Sequence, residues 1–137
     1  MTKMQKRWVS SPGPPPKPKV PESVRTSTEE RATEFVKAVL KPKHIKPPPE
    51  SPRFNYIVDI YTKWYRHYFY FCAKYACPGP NAISPSFEAK FARFEYVGDA
   101  GYNLSFMRHT GEWIEIYRGL SLEEGLSAIE DNPWFQP

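Results

Sequence analysis

The hydrophobic positions of this chain follow two periods. In the first third, apolar residues recur at intervals of three and four, which places them on one face of an α-helix. From Phe54 onward the period is two, which indicates β-strands. We therefore expect one amphipathic helix followed by a sheet. The helical face consists of Ala32, Phe35, Val36, Val39 and Leu40.

The predicted helix spans residues 28–41. Ser27 and Glu30 have the spacing of a capping box, which satisfies free N–H groups at the start of a helix. Pro42 is expected to end the helix, because proline lacks an N–H and clashes with the preceding turn. Residues 42–53 are rich in proline and are predicted to form an extended linker.

Five segments of period two, separated by turn-forming residues, lie between residues 54 and 118. They are residues 54–61, 66–76, 87–97, 102–108 and 113–118. Ser121 and Glu124 form a second capping box, which starts a helix over residues 121–131. The predicted fold class is α+β: a curved five-stranded antiparallel meander, with an N-terminal helix packed across it and a short C-terminal helix.

The turns and the alternation predict part of the strand register. A three-residue loop at residues 109–111 would pair Phe106 with Ile114, and Tyr96 would pair with Tyr102 across the preceding turn. These pairs put the apolar side chains of the later strands on one face. The first half of the third strand has the opposite parity, so we expect a β-bulge near Phe91 that turns it inward.

The other face of the later strands mixes charged side chains with two large rings, and it is the candidate binding surface. No catalytic residue is assigned to it. Its predicted members are Arg93, Glu95, Asn103, Ser105, Met107, Trp113, Glu115 and Tyr117.

The segment WYRHYFYFCAKYAC, residues 64–77, is aromatic on both sides of the predicted strand. A strand that is apolar on both sides is typical of the centre of a covered sheet, so the sequence favours a buried core strand. A protein-contact face and a platform for stacking nucleic-acid bases are the alternatives. Base stacking needs exposed rings beside net positive charge.

The charge of +4 is unevenly distributed. Residues 1–53 carry 12 Lys or Arg and 5 Asp or Glu, a net charge of +7, whereas residues 54–137 carry 7 and 10, a net charge of −3. Eleven of the 16 prolines lie in residues 1–53, and 20 of the 22 Phe, Trp and Tyr lie after them. This indicates a mobile basic arm, residues 1–26, joined to a single domain, residues 27–137.

The arm is the main partner signal in the sequence. Its PxxP spacings, such as Pro15 to Pro18, are typical of a stiff spacer and also of a ligand for an aromatic groove. Its basic residues could neutralise phosphates without reading sequence, so nucleic acid or a ribonucleoprotein is an expected contact. These residues are Lys3, Lys6, Arg7, Lys17, Lys19 and Arg25.

Candidate chemistry is sparse. Cys72 and Cys77 lack further ligands at zinc-finger spacing, so we expect two inert thiols, no metal and no cofactor. If the protein were instead a small enzyme or ligand binder, His67, Arg108 and His109 would line a pocket between sheet and helix. There is no run of 18 apolar residues and no secretory pattern, so a cytoplasmic location without membrane contact is expected.

Two segments, ERATEFVKAVLKPKHIKPPP and TGEWIEIYRGLSLEEGLSAIED, carry a resemblance. With the strands between them, they resemble small bacterial proteins classed only as a domain of unknown function, over about residues 30–131. The matching positions are Lys41, Pro42, His44, Ile45, Lys46, Trp113, Ile116 and Tyr117. The resemblance implies the fold and no activity. The sequence thus favours a non-enzymatic binding or accessory protein with a protein partner, and it does not favour a small-molecule ligand.

Overall fold

The order of the helices and strands in the computed structural model is that of an α+β domain, as predicted. The structure describes residues 18–48, 50 and 53–137. Its elements are α1 (Glu22–Phe35), a π-helical segment (Val36–Leu40), α2 (Lys41–His44), β1 (Tyr56–Tyr65), β2 (Tyr68–Ala76), β3 (Ser86–Gly98), β4 (Gly101–Met107), β5 (Trp113–Leu120), α3 (Leu122–Asp131) and a 3-10 turn (Pro133–Phe135). The strands form one antiparallel sheet in the order β1-β2-β3-β4-β5.

Helix α1 begins at Glu22, earlier than the predicted start at residue 28. Ser27 does not cap it, and its hydroxyl donates to the carbonyl of Val24 instead. Tertiary contacts explain the longer helix. Arg25 donates to the carbonyl of Arg66 at 2.9 Å, and its guanidinium lies 5.1 Å from the centre of the Trp64 ring. Residues 22–26, predicted to belong to the arm, are therefore helical, and residues 1–17 of the arm lie outside the described residues.

Pro42 does not end the helical region, which continues to His44. Directly before it, the N–H of Lys41 bonds to the carbonyl of Val36, five residues back, as in a π-turn. Pro42 then lies in the first turn of α2, where a missing N–H is tolerated. The predicted linker accordingly begins after α2. Lys43 donates to the carbonyl of Glu130 at 3.1 Å, which joins this end to α3.

The core lies between one face of the sheet and the helices. Phe69, Phe71, Phe94 and Leu104 are fully buried there. They are packed together with side chains from α1, the π-helical segment and α3, including Ala32, Phe35, Leu40, Leu126 and Ile129. These apolar side chains pack against one another between the sheet and the helices, where a ligand pocket was the alternative expectation.

The predicted strand register is confirmed at three points. Phe106 pairs with Ile114, and Tyr96 pairs with Tyr102. The pairing of β2 with β3 shifts at Phe91, which is the position expected for a bulge. Further register shifts were not expected, and they lie in the pairing of β1 with β2, of β3 with β4 and of β4 with β5. One is a bulge at Val58 in β1, and another, at Ile116 in β5, changes the face on which the next side chain lies.

Candidate functional site

The face of the sheet opposite the core is covered by none of the described helices, and we call it the open face. It carries the half-buried rings of Tyr68 and Tyr70 from β2, together with Arg93 from β3 and Trp113 from β5. These four residues form the Arg93 cluster. They come from three strands, so the folded sheet is required to bring them together.

Arg93 is held between two rings of this cluster. The carbon of its guanidinium group lies 4.3 Å from the centre of the Tyr68 ring and 4.9 Å from that of Trp113. Contact with Trp113 spans β4, where the residue beside Arg93 is Ser105, a small and buried side chain. Tyr70 packs against Trp113 with the ring centres 5.8 Å apart. Cation–π contacts on both sides restrict the guanidinium to one position.

A nearly buried carboxylate lies beside the cluster. Glu95 is 8% exposed and is paired with Tyr68 across β2 and β3. Its Oε2 lies 3.7 Å from Nε2 of His67, whose ring is 4.1 Å from that of Tyr68. His67 and Glu95 therefore support one edge of the Arg93 cluster from the side of the β1–β2 turn.

A second group, the Glu88 cluster, lies beside the first on the open face. Lys63 donates to both carboxylate oxygens of Glu88 at 2.9 Å, Lys90 donates at 3.3 Å, and the hydroxyl of Tyr61 also donates to it. The residues come from β1 and β3. They meet above Cys72 of β2, which is opposite both Tyr61 and Lys90 and is small enough to be covered by them.

The contacts of the Glu88 cluster fix its ionisation. Hydrogen bonds from Tyr61 and Lys63 lower the pKa of Glu88 to about 2. Burial and the bond to Glu88 raise the pKa of Tyr61, and burial raises the pKa of Cys72 to about 11. At neutral pH the carboxylate is therefore charged, whereas the phenol and the thiol stay protonated. The pKa values of all three groups therefore lie far from neutral pH.

The two clusters are joined at a shallow depression. The ammonium of Lys90 lies 5.5 Å from the centre of the Tyr70 ring. A depression of about 380 Å³ opens here and is lined by Lys63, Trp64, Tyr65, Tyr70 and Lys90. The open face thus offers one continuous surface of rings and charged side chains across β1, β2, β3 and β5.

The structure places seven of the eight predicted face residues on this side of the sheet, as judged from strand pairing. Arg93 and Trp113 belong to the cluster, and Met107 pairs with Trp113. Asn103 accepts a hydrogen bond from the N–H of Gly119 at 3.0 Å, and Glu115 is paired with Arg118. These last two side chains bind neighbouring groups of the sheet.

Tyr117 does not lie where the sequence predicts. The bulge at Ile116 sets Tyr117 opposite Leu104, whose side chain is in the core. Its hydroxyl accepts a hydrogen bond from Nδ2 of Asn132 at 3.1 Å, on the side of α3. A bulge that reverses one position was not visible in the alternation of WIEIYR.

The interpretation of residues 64–77 is correct for one side of the strand and wrong for the other. Phe69 and Phe71 are fully buried under the helices, whereas Tyr68 and Tyr70 are half-buried on the open face. The sequence contained a signal for this difference: the ring on the buried side is phenylalanine, and the ring on the open side carries a hydroxyl that favours a wet surface.

The three alternative pocket residues do not share a site. His67 lies at the β1–β2 turn, and its carbonyl accepts from the N–H of Tyr96, close to the start of β4. Arg108 and His109 follow the other end of β4. They line a separate depression of about 570 Å³ next to Trp134.

Two further features bear on the class of protein. In the part of the chain that the structure describes, no group of three or more His, Cys, Asp or Glu side chains could hold a metal ion. Within the same ranges, none of the helices has the length and apolar content needed to cross a membrane.

The fold and the open face define a small α+β domain in which helices cover one side of an antiparallel sheet and leave aromatic and charged side chains on the other. The chain belongs to the family described as Domain of unknown function (DUF3024), whose model matches residues 20–137. No curated protein and no solved structure matches the chain.

Proposed function

We propose that this protein is a non-enzymatic binding protein and that its open face contacts a protein partner. One observation carries the proposal: Arg93 is held between Tyr68 and Trp113 on a sheet face that the described helices leave uncovered. Trp, Tyr and Arg are the residue types that most often dominate the binding energy of protein interfaces.

The cluster is already organised for binding. Its side chains project from a rigid sheet, and the ring contacts restrict the rotamers of Arg93 and Trp113 before any partner arrives. Less side-chain entropy is then lost on association, which favours affinity.

The charges around the cluster favour a protein over a nucleic acid as the partner of this face. The positive charges of Lys63 and Lys90 are directed at Glu88, and Arg118 is paired with Glu115. A phosphate backbone is attracted by an excess of unpaired cations, whereas a rim of both signs complements a protein surface.

The arm residues Lys3, Lys6, Arg7 and Lys17 lie outside the described residues, so their contact with nucleic acid stays a prediction. Of the two described members, Lys19 is exposed and Arg25 is bound to the β1–β2 turn. The cytoplasmic location also stays a prediction.

The test uses the full chain carrying a photoreactive benzoylphenylalanine at Tyr70, in nuclease-treated native lysate. The matched control carries the same group at Ile83, a fully exposed residue of the β2–β3 loop. We expect a protein that crosslinks to position 70 and not to position 83. Crosslinks of equal yield at both positions, or crosslinks that nuclease abolishes, would contradict the proposal.

The affinity of the identified protein is then measured by calorimetry with purified variants. Trp113→Ala and Arg93→Ala should each weaken binding at least about tenfold, or about 1.4 kcal/mol, as expected for central interface residues. Ile83→Ala should leave the dissociation constant unchanged. Circular dichroism spectra establish that each variant is folded, and unchanged affinity in both cluster variants would refute the role of this face.

A further inference from the structure

A second surface, on the other side of the sheet, is a groove between β5, α3 and the 3-10 turn. We call it the terminal groove. It has a volume of about 800 Å³, and its aromatic walls are Tyr117 and Trp134. Trp134 is 61% exposed, which is unusual for the largest apolar side chain. The Arg93 cluster does not contribute to this groove, so the groove is independent of the proposed function.

The two aromatic walls are held in place by Asn132. Its Nδ2 donates to the hydroxyl of Tyr117 at 3.1 Å, and its Oδ1 accepts from the N–H of Trp134 at 3.0 Å. The ring of Trp134 also stacks on that of Phe106, with the centres 4.9 Å apart. The groove is therefore preformed, and an occupant would not need to reorganise it.

The rim of the groove is acidic. Glu123, Glu124 and Asp131 line it together with the aromatic walls. Among the described residues, Arg31 forms a salt bridge with Glu123 at 2.8 Å, and no other salt bridge involves these three carboxylates. The groove thus combines aromatic walls with an excess of carboxylates, and it is complementary to a proline-rich segment that carries positive charges.

We infer that the terminal groove binds the N-terminal segment of the same chain, residues 1–17. This segment contains four prolines, with Pro12 and Pro15 at PxxP spacing, and four Lys or Arg without any Asp or Glu. Proline rings pack against aromatic side chains in grooves of this kind, at a low cost in backbone entropy. The lysines and arginine would face the carboxylates of the rim.

The segment is long enough to reach the groove within one molecule. Arg31 touches Glu123 at the rim, and helical rise places Glu22 about 14 Å from Arg31 along α1. Seventeen residues in an extended proline-type conformation span about 50 Å. A tether of this length gives the segment a high effective concentration at its own groove, which favours binding within one chain over exchange between two chains.

The experiment is paramagnetic relaxation measured on the full chain. A nitroxide is attached to Ser10→Cys in a Cys77→Ser background, where Cys72 is buried and unreactive. We expect a roughly twofold or greater loss of intensity for the Trp134 indole N–H, because the docked state is the major one, and little loss for Trp64. Equal effects on the two indoles would overturn the inference.

Two variants and a mixing experiment complete the test. Trp134→Ala should abolish the loss of intensity that the nitroxide causes at the groove. Because this variant lacks the indole, the intensity is followed at the amides of Ala128 and Asn132. Replacement of Arg7 and Lys17 by glutamate should do the same without altering the described domain. The matched control, Ile83→Ala, should preserve it. A mixture of isotope-labelled chains and separate nitroxide-bearing chains should show no effect, and relaxation in that mixture would overturn the assignment to one chain.

Discussion

Gly125 lies in the first half of α3, on the side of the helix that packs against Phe94 of the sheet. A Cβ built on Gly125 would lie 2.6 Å from Cζ and 2.8 Å from Cε1 of Phe94, which is closer than carbon atoms approach without repulsion. The ring cannot move aside easily, because Phe94 is fully buried and packs against Phe69, Phe71 and Tyr102. We therefore expect Gly125→Ala to destabilise the fold.

The expected magnitude is the balance of two effects. Overpacking of a dense core costs about 1–3 kcal/mol, whereas replacing glycine by alanine inside a helix contributes about 1 kcal/mol. The net loss in the free energy of unfolding should be about 1 kcal/mol, or a decrease of about 4 °C in Tm for a domain of this size. Helix propensity alone predicts the opposite sign, so the experiment distinguishes the two arguments.

Urea denaturation followed by tryptophan fluorescence measures this change. Ser127→Ala is the matched control, because Ser127 is exposed on the same helix and should become slightly more stable. In the double variant Gly125→Ala, Phe94→Leu, the smaller side chain at position 94 relieves the clash. The double variant should therefore lose less free energy of unfolding than the sum of the losses in the two single variants. An increase in stability for Gly125→Ala alone would show that α3 does not pack this closely on Phe94.

Thr28→Val should lower the free energy of unfolding by about 1–3 kcal/mol in thermal denaturation, because the buried hydroxyl of Tyr102 loses its hydrogen-bond partner at 2.6 Å. Adding Tyr102→Phe should recover part of this loss. Additive losses in the double variant would contradict the hydrogen bond between the two side chains. Glu88→Gln should lower the urea midpoint at neutral pH. The pKa of Glu88 is depressed from 4.5 to about 2 in the folded state, so its contribution to stability is complete above pH 4.5 and is lost as the pH falls towards 2. If the difference in urea midpoint between Glu88→Gln and wild type does not change with pH, the ion-pair argument is refuted. At neutral pH a thiol reagent should modify Cys77 in the folded protein, whereas Cys72, which is buried and has a pKa of about 11, should react only after denaturant is added. Rapid modification of both thiols would contradict the burial of Cys72.

The predicted open face illustrates how far local patterns reach. Arg93 and Trp113 could be assigned to one face because each strand alternates and two turns set the pairing. Tyr68 and Tyr70 were missed, since both sides of β2 are aromatic and alternation gives no preference between them. Tyr117 was misplaced because a single bulge reverses the face of the residues that follow it.

The start of α1 shows a different limit. Ser27 and Glu30 form an acceptable local cap, yet the helix extends back to Glu22, because Arg25 binds the β1–β2 turn and Trp64. A capping box contributes about 1 kcal/mol, so a few tertiary contacts are sufficient to override it. The same competition explains why Pro42 is accommodated beyond a π-turn and does not terminate the helical region.

The sequence alone determined three features, because alternation, capping and turn chemistry act over a few neighbouring residues. They are the order of the predicted helices and strands, the antiparallel meander and the pairing of Phe106 with Ile114. The tertiary structure alone decided which side of β2 is covered. Helices that pack on Phe69 and Phe94 leave Tyr68 open, and strands distant in sequence then supply Arg93 and Trp113 around it. Burial depends on contacts between remote segments. The alternation of β2 does not indicate which face those segments will cover, and the contrast between phenylalanine and tyrosine indicates only which face tolerates water.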